Sequence, residues 1–131
     1  MDVVVDASVL IAIVAEEPQK SALVAATREA RLLAPQSVHW EVGNAFSAML
    51  KRKRVTLAQC ETALAAYQKI VIMYLDVDLK ESLRWADRLG LYAYDAYVLS
   101  CAAKQGVLLL TLDRGLIAAA RRAGVRILEI V

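Results

Sequence analysis

At 131 residues, the chain is sized for one domain around one core. Its longest apolar run, Val9 to Ala15, is far shorter than the roughly 18 residues of a membrane span. A formal net charge of +2 is too mild to announce a nucleic-acid partner unless the basic residues cluster. Asp2 and Asp6 stand where a secretory leader would carry Lys or Arg, so a cytoplasmic protein is expected, with residues 1–131 as one domain. Apolar residues make up 59% of the sequence and the mean hydropathy is +0.45, a surplus that predicts an oligomer or a tight protein partner. Cys60 and Cys101 lack CxxC spacing and His39 is the lone histidine, which predicts buried thiols in place of a zinc site or a disulfide.

Taken in order, Val3 to Val5 form a β-branched run that reads as a strand buried on both faces. It stops on Asp6, and Ala7 to Ala15 switch to helical spacing. Pro18 suits a helix's first turn, with Gln19 to Ala30 helical after it. Leu32 to Ala34 make a second strand ended by Pro35. Ser37 is placed to cap a helix whose core stripe is Val38, Val42, Ala45, Phe46 and Met49. Glu41 sits at the edge of that stripe, one turn from Ser37 and Asn44.

The helix ends in four consecutive cations, Lys51 to Arg54. Thr56 caps a helix from Leu57 to about Met73, and Tyr74 to Val77 read as strand three. Asp78 and Glu81 have capping-box spacing for Leu79 to Leu89, which Gly90 ends. Asp95 opens a helix with Val98, Leu99 and Ala102 on its own face, closed by Gly106. Val107 to Leu110 are strand four, ending on Thr111-Leu112-Asp113; a helix from Gly115 to Ala123 and a strand from Arg126 to Val131 complete the chain. Strands alternating with helices predict an α/β fold: a mostly parallel central sheet of about five strands, helices on both faces.

Asp6 and Asp113 thus follow parallel strands and share one rim of the sheet, where such folds place their ligands. Each of the acids Asp6, Glu41, Asp95 and Asp113 has an ordinary reading alone, as helix cap, turn residue or surface carboxylate. Brought together, four carboxylates repel and demand a cation. Oxygen ligands without His or Cys select Mg²⁺ or Mn²⁺.

The blocks Val4-Val5-Asp6-Ala7-Ser8, Glu41-Val42-Gly43-Asn44-Ala45, Tyr94-Asp95-Ala96-Tyr97 and Leu110-Thr111-Leu112-Asp113 resemble, in order and spacing, those of the PIN-domain ribonucleases. The size is similar to the VapC-type toxins of toxin–antitoxin pairs. The resemblance implies a metal-dependent endoribonuclease that leaves a 3′-hydroxyl and a 5′-phosphate, a cognate antitoxin and a homodimer. It matches Asp6, Glu41, Asp95 and Asp113 to the family's acidic quartet. Ser8 and Thr111 match its small hydroxyl positions, and Asn44 its polar neighbour of the glutamate. The segment Ser37-Val38-His39-Trp40 departs from it, being bulkier and more polar.

Asp6 and Asp95 are expected to hold the metal, Asp113 to complete its ligands, and Glu41 either to bind a second ion or to act as base. Lys51, Arg52, Lys53 and Arg54 are candidate phosphate contacts, against the plainer reading of a solvated helix end; Arg114, beside Asp113, is another. Tyr92, Tyr94 and Tyr97 either line the pocket or pack in the core or an interface. Aromatic content of 6% argues against an extended base-stacking platform. The rivals are a catalytically silent PIN-fold module that binds RNA or protein, and a phosphoacceptor receiver domain. The latter finds an acid in Asp76 but no Lys in the last strand. A haloacid-dehalogenase-type phosphatase would want Asp where Ser8 stands.

Overall fold

The computed structural model describes residues 1–130. Strand β1 (Asp2–Val5) leads into α1 (Ala7–Val14) and α2 (Lys20–Thr27), then β2 (Arg31–Pro35), α3 (Ser37–Lys51) and α4 (Leu57–Lys69). After them come β3 (Ile72–Leu75), α5 (Leu79–Leu89), α6 (Ala93–Gln105), β4 (Leu108–Leu110) and α7 (Arg114–Arg122). The sheet is wholly parallel in the order β3-β2-β1-β4. Because β1 pairs on both edges, Val3, Val4 and Val5 lie at the molecule's centre, each with 0% exposure. Their buried neighbours form a single cluster that includes Leu10, Leu23, Leu33, Phe46, Leu99, Leu109 and Leu116.

From β1 the chain steps outward to β2 and β3, then returns across the sheet to β4. With right-handed crossovers, the two directions of travel place α1–α4 on one face and α5–α6 on the other. Accordingly α1 packs on α2, α3 and α4, while α5 packs on α6. The strand order reverses between β1 and β4, which opens a crevice at their carboxyl ends.

Two sequence expectations shift. Helix α4 ends at Lys69, so β3 begins at Ile72 and not Tyr74. The β-branched residues Ile70, Val71 and Ile72 have left the helix, and Ile72 pairs with Leu32. The expected fifth strand, Arg126 to Val131, is reduced to an isolated bridge between Leu109 and Ile127; Val131 lies outside the described residues. Strand β4 is only three residues long before Thr111 turns away, so it offers the C-terminal segment almost nothing to pair with. Among the described residues the sheet therefore has four strands where about five were expected.

Local stop signals explain most helix ends. Gly90 and Gly106 close α5 and α6 in the left-handed region, at φ 68° and 65°. Asp78 caps α5 through Glu81 N at 3.1 Å, but the Glu81 side chain turns to Arg84, so the box is half made. The reciprocal box is at α4: Gln59 N donates to Thr56 Oγ1 at 3.1 Å and Thr56 N to Gln59 Oε1 at 2.9 Å. Thr56→Ala should cost about 1 kcal/mol of stability in urea titrations. Ser37 is no cap: it is α3's first residue, with its Oγ buried and unpartnered. Helix α2 is shorter than expected at both ends. Cys60 and Cys101 are free and buried. Among the described residues no helix is long and apolar enough to cross a membrane.

Candidate active site

The crevice is built on Asp6, where β1 stops. Its extended backbone (φ −103°, ψ 177°) makes it the N-cap of α1, with Oδ1 accepting from Val9 N at 3.3 Å. Ser8 Oγ donates to the same oxygen at 2.5 Å, and Thr111 Oγ1, from the end of β4, donates to Oδ2 at 2.5 Å. The two hydroxyls are themselves fixed: Leu112 N donates to Ser8 Oγ and Asp113 N to Thr111 Oγ1, each at 3.0 Å. The loop after β4 is thereby tied to the start of α1 through one carboxylate. Asp6 is 6% exposed. Burial pushes its carboxyl pKa up, the bonds from Ser8, Thr111 and Val9 pull it down, and the Asp113 charge adds to the rise.

Asp113 is exposed and caps α7, accepting from Leu116 N at 3.1 Å. A Cβ at Gly115 would stand 3.2 Å from Asp113 Oδ1, so glycine there leaves the carboxylate room. Asp95 is the third residue of α6, half-buried and not its cap. Its pKa is raised by burial and then by Asp113 and Asp6. Val98, Leu99 and Ala102, the buried face of α6, carry it toward the sheet. Glu41 lies on α3 between the buried Val38 and Val42. Burial, then the charges of Asp6 and Asp95, push its carboxyl up to about 7. Its Oε2 is buried without a hydrogen-bond partner.

The structure thus gathers four acids from four elements, with Asp6 repelling each of the other three. It does not gather everything the sequence offered. Asn44 is exposed, and its side chain bonds to none of the acids. Lys51, Arg52, Lys53 and Arg54 are exposed at the far end of α3, about 15 Å from Glu41 by helical rise. Arg114, next to Asp113, is exposed at the crevice side of α7. The contributors that side-chain reading missed are the backbone N–H groups of Val9, Leu112, Asp113 and Leu116. The helix-cap reading of the acids was the trace of Val9 and Leu116 in the sequence.

A cavity of about 620 Å³ lies elsewhere, between the end of α1 and α4 and including Phe46, Cys60 and Ala63, and none of the four acids lines it. Chemistry rather than size locates the candidate site. Its donors are all carboxylate oxygens with flanking hydroxyls, one buried oxygen is unpartnered, and the shared repulsion is uncompensated. This set fits a hard divalent cation. Among the described residues no three His, Cys, Asp or Glu side chains stand close enough together to hold a metal ion.

Thr111→Val should remove a donor from buried Asp6 and an acceptor from Asp113 N. The expected loss in metal-free urea denaturation is about 1–3 kcal/mol at neutral pH.

The PIN domain family model matches residues 3–122, and the chain belongs to that family. Among solved structures it is similar to PAE2754 from Pyrobaculum aerophilum, with 30% identity and TM-score 0.72 over 91% of this chain and 87% of that one. The fold also matches VapC20 of Mycobacterium tuberculosis, a sarcin-ricin loop cleaving toxin, at TM-score 0.65 and 16% identity, covering 89% and 94% of the two chains. VapBC2 from Rickettsia felis, bound to a DNA fragment from their promoter, matches over 100% of both chains at TM-score 0.68 and 14% identity. No curated protein matches the chain by sequence.

Proposed function

We propose that this protein is a Mg²⁺- or Mn²⁺-dependent endoribonuclease acting as the toxin of a toxin–antitoxin pair. The observation that carries the reading is the unpartnered Glu41 Oε2 beside Asp6 and Asp95, in a crevice where acids raise one another's pKa. A silent binding module would have no use for that repulsion.

A divalent ion bound there supplies a water of lowered pKa, a Lewis acid for the phosphoryl oxygens and a fixed in-line geometry. Asp6 and Asp95 would hold it, with Asp113 completing the set. Ser8 and Thr111 orient Asp6 so that its carboxylate cannot swing. Glu41, which faces the charges of Asp6 and Asp95, would either hold a second ion or take the proton of the attacking water. Arg114 stands where it can meet a phosphate beside Asp113. Lys51–Arg54 are too distant for the scissile group and would contact flanking backbone. The products carry a 3′-hydroxyl and a 5′-phosphate.

The VapC20 and VapBC2 likenesses support an RNA target and pairing with a second protein. A homodimer in the cytoplasm completes the proposal. Leu79 and Leu83, one turn apart on α5 and 61% and 60% exposed, suit such an interface.

Purified protein, incubated with a pool of structured RNAs in Mg²⁺ or Mn²⁺, should cut them, and EDTA should stop it. Absence of cleavage under both ions would overturn the nuclease reading. Expression without a neighbouring-gene partner should arrest growth. Harmless expression of an active enzyme would remove the toxin role and leave the nuclease.

A further inference from the structure

The chain has only eight Phe, Trp and Tyr residues, and their distribution is uneven. Four are exposed: Trp40, Tyr74, Tyr92 and Tyr94. All four stand at the carboxyl rim of the sheet, in the first turn of α3, near the end of β3 and at the start of α6. Two of them enclose a space. Gln36, His39, Trp40 and Tyr74 line a cavity of about 280 Å³.

Its walls are braced. His39 meets Trp40 and Tyr74 edge-on, at ring-centroid distances of 5.3 and 6.0 Å. Its Nδ1 lies 3.0 Å from Tyr67 Oη, which lies 2.5 Å from Tyr74 Oη. Buried Tyr67 thus anchors both rings from behind. Gln36 Nε2 donates to Asp76 Oδ1 at 3.3 Å. That bond leaves the Gln36 carbonyl, and the anchoring of Nδ1 leaves His39 Nε2, as polar groups on the cavity's edge. Trp40 keeps a 68% exposed face. An exposed indole held in place, with hydrogen-bonding groups around it, is how proteins hold a flat heteroaromatic ring. The volume lies just below the range for drug-sized ligands, so it suits one ring system and not a stacked run.

The position ties the cavity to the crevice. Trp40 immediately precedes Glu41 in α3, with successive side chains about 100° apart round the helix. A strand passing Glu41 can therefore lay the base of a flanking nucleotide on Trp40.

We propose that the Gln36–His39–Trp40–Tyr74 cavity is a subsite for one unpaired nucleobase of a single-stranded RNA segment, next to the bond to be cut. The inference rests on the ribonuclease reading for its substrate, and the test separates the two. Binding is measured in an Asp6→Asn, Trp85→Phe background, where Trp40 is the sole fluorophore of its kind and cleavage does not interfere. The probes are six-nucleotide oligoadenylate and an abasic ribose-phosphate oligomer of equal length. Oligoadenylate should quench Trp40 emission and the abasic oligomer should not. Trp40→Ala, followed by anisotropy of labelled oligoadenylate, should weaken binding about tenfold or more, and Trp40→Phe should restore most of it.

Equal affinity of Trp40→Ala and its parent, or equal quenching by both probes, would overturn the subsite. So would sedimentation showing that Trp40→Ala turns a dimer into a monomer, since the cavity would then be filled by a second copy of the chain. If the wild type fails to cut any RNA while these binding results hold, the nuclease reading falls and the base pocket stands.

Discussion

Asp6→Asn should lower the rate of RNA cleavage about a thousandfold or more, and the variant should be as stable in EDTA as the parent, or more so. Both halves follow from the same bonds. The Asp6 carboxylate accepts from Ser8, Val9 and Thr111 while 6% exposed. An amide of the same shape keeps an acceptor for Ser8 and Val9, and removes the cost of a buried charge repelled by Asp113. What it loses is the negative charge that would hold a bound cation. Mg²⁺ or Mn²⁺ should therefore raise the melting temperature of the parent in a concentration-dependent way and that of the variant far less. Calorimetry beside a gel-based cleavage assay reads both; a variant that cuts like the parent would point to a contaminating nuclease.

Glu41 governs the second large effect, the pH dependence of the metal-free protein. Its folded carboxyl is pushed up to about 7 from an ordinary 4.5. Between those values the folded chain binds more protons than the unfolded chain, so stability falls as pH rises. Glu41 is only partly buried, and solvent screening reduces the full linkage value to about 1–2 kcal/mol. In EDTA at pH 8, Glu41→Gln should be more stable than the parent by that amount, and at pH 4.5 the difference should vanish. Saturating Mg²⁺ should reverse the order at pH 8, because the cation compensates the charge that the glutamine lacks. Urea titrations at the two pH values, with and without the ion, test the sign. A parent whose metal-free stability rises steadily from pH 4.5 to 8 relative to Glu41→Gln would contradict it.

The strands most legible in the sequence were those whose chemistry admits one environment. Val3–Val5 read as interior strand, and the change of period after Asp6 marks the first residue of α1. Gly90 and Gly106 marked two helix ends because little else tolerates their backbone. Reading failed where apolar content serves two structures equally well. Ile70–Met73 extended a helical pattern until the pairing of Ile72 with Leu32 decided otherwise. Arg126–Ile130 has the composition of a strand but meets a neighbour only three residues long, and no local pattern carries the length of a partner.

The acids were legible as candidates, and capping proves compatible with a place in the crevice. Asp6 and Asp113 are caps and crevice residues at once, while Asp95 is not a cap at all. The aromatic share of 6% argued against a long stacking surface. Composition could not reveal that half of the Phe, Trp and Tyr side chains stand on one rim.

The double pairing of β1 has a further consequence for how this protein could change over generations. The carboxylate that closes β1 hangs from a strand that cannot shift without opening the sheet on both sides. Trp40, Tyr92 and Tyr94 sit instead on helix beginnings that face solvent, where replacement disturbs little packing. On the proposed reading, the metal-binding carboxylate would hang from the buried centre of the sheet and the base contact from an exposed helix start. A change of target would then leave the hydrolytic carboxylate and its packing untouched.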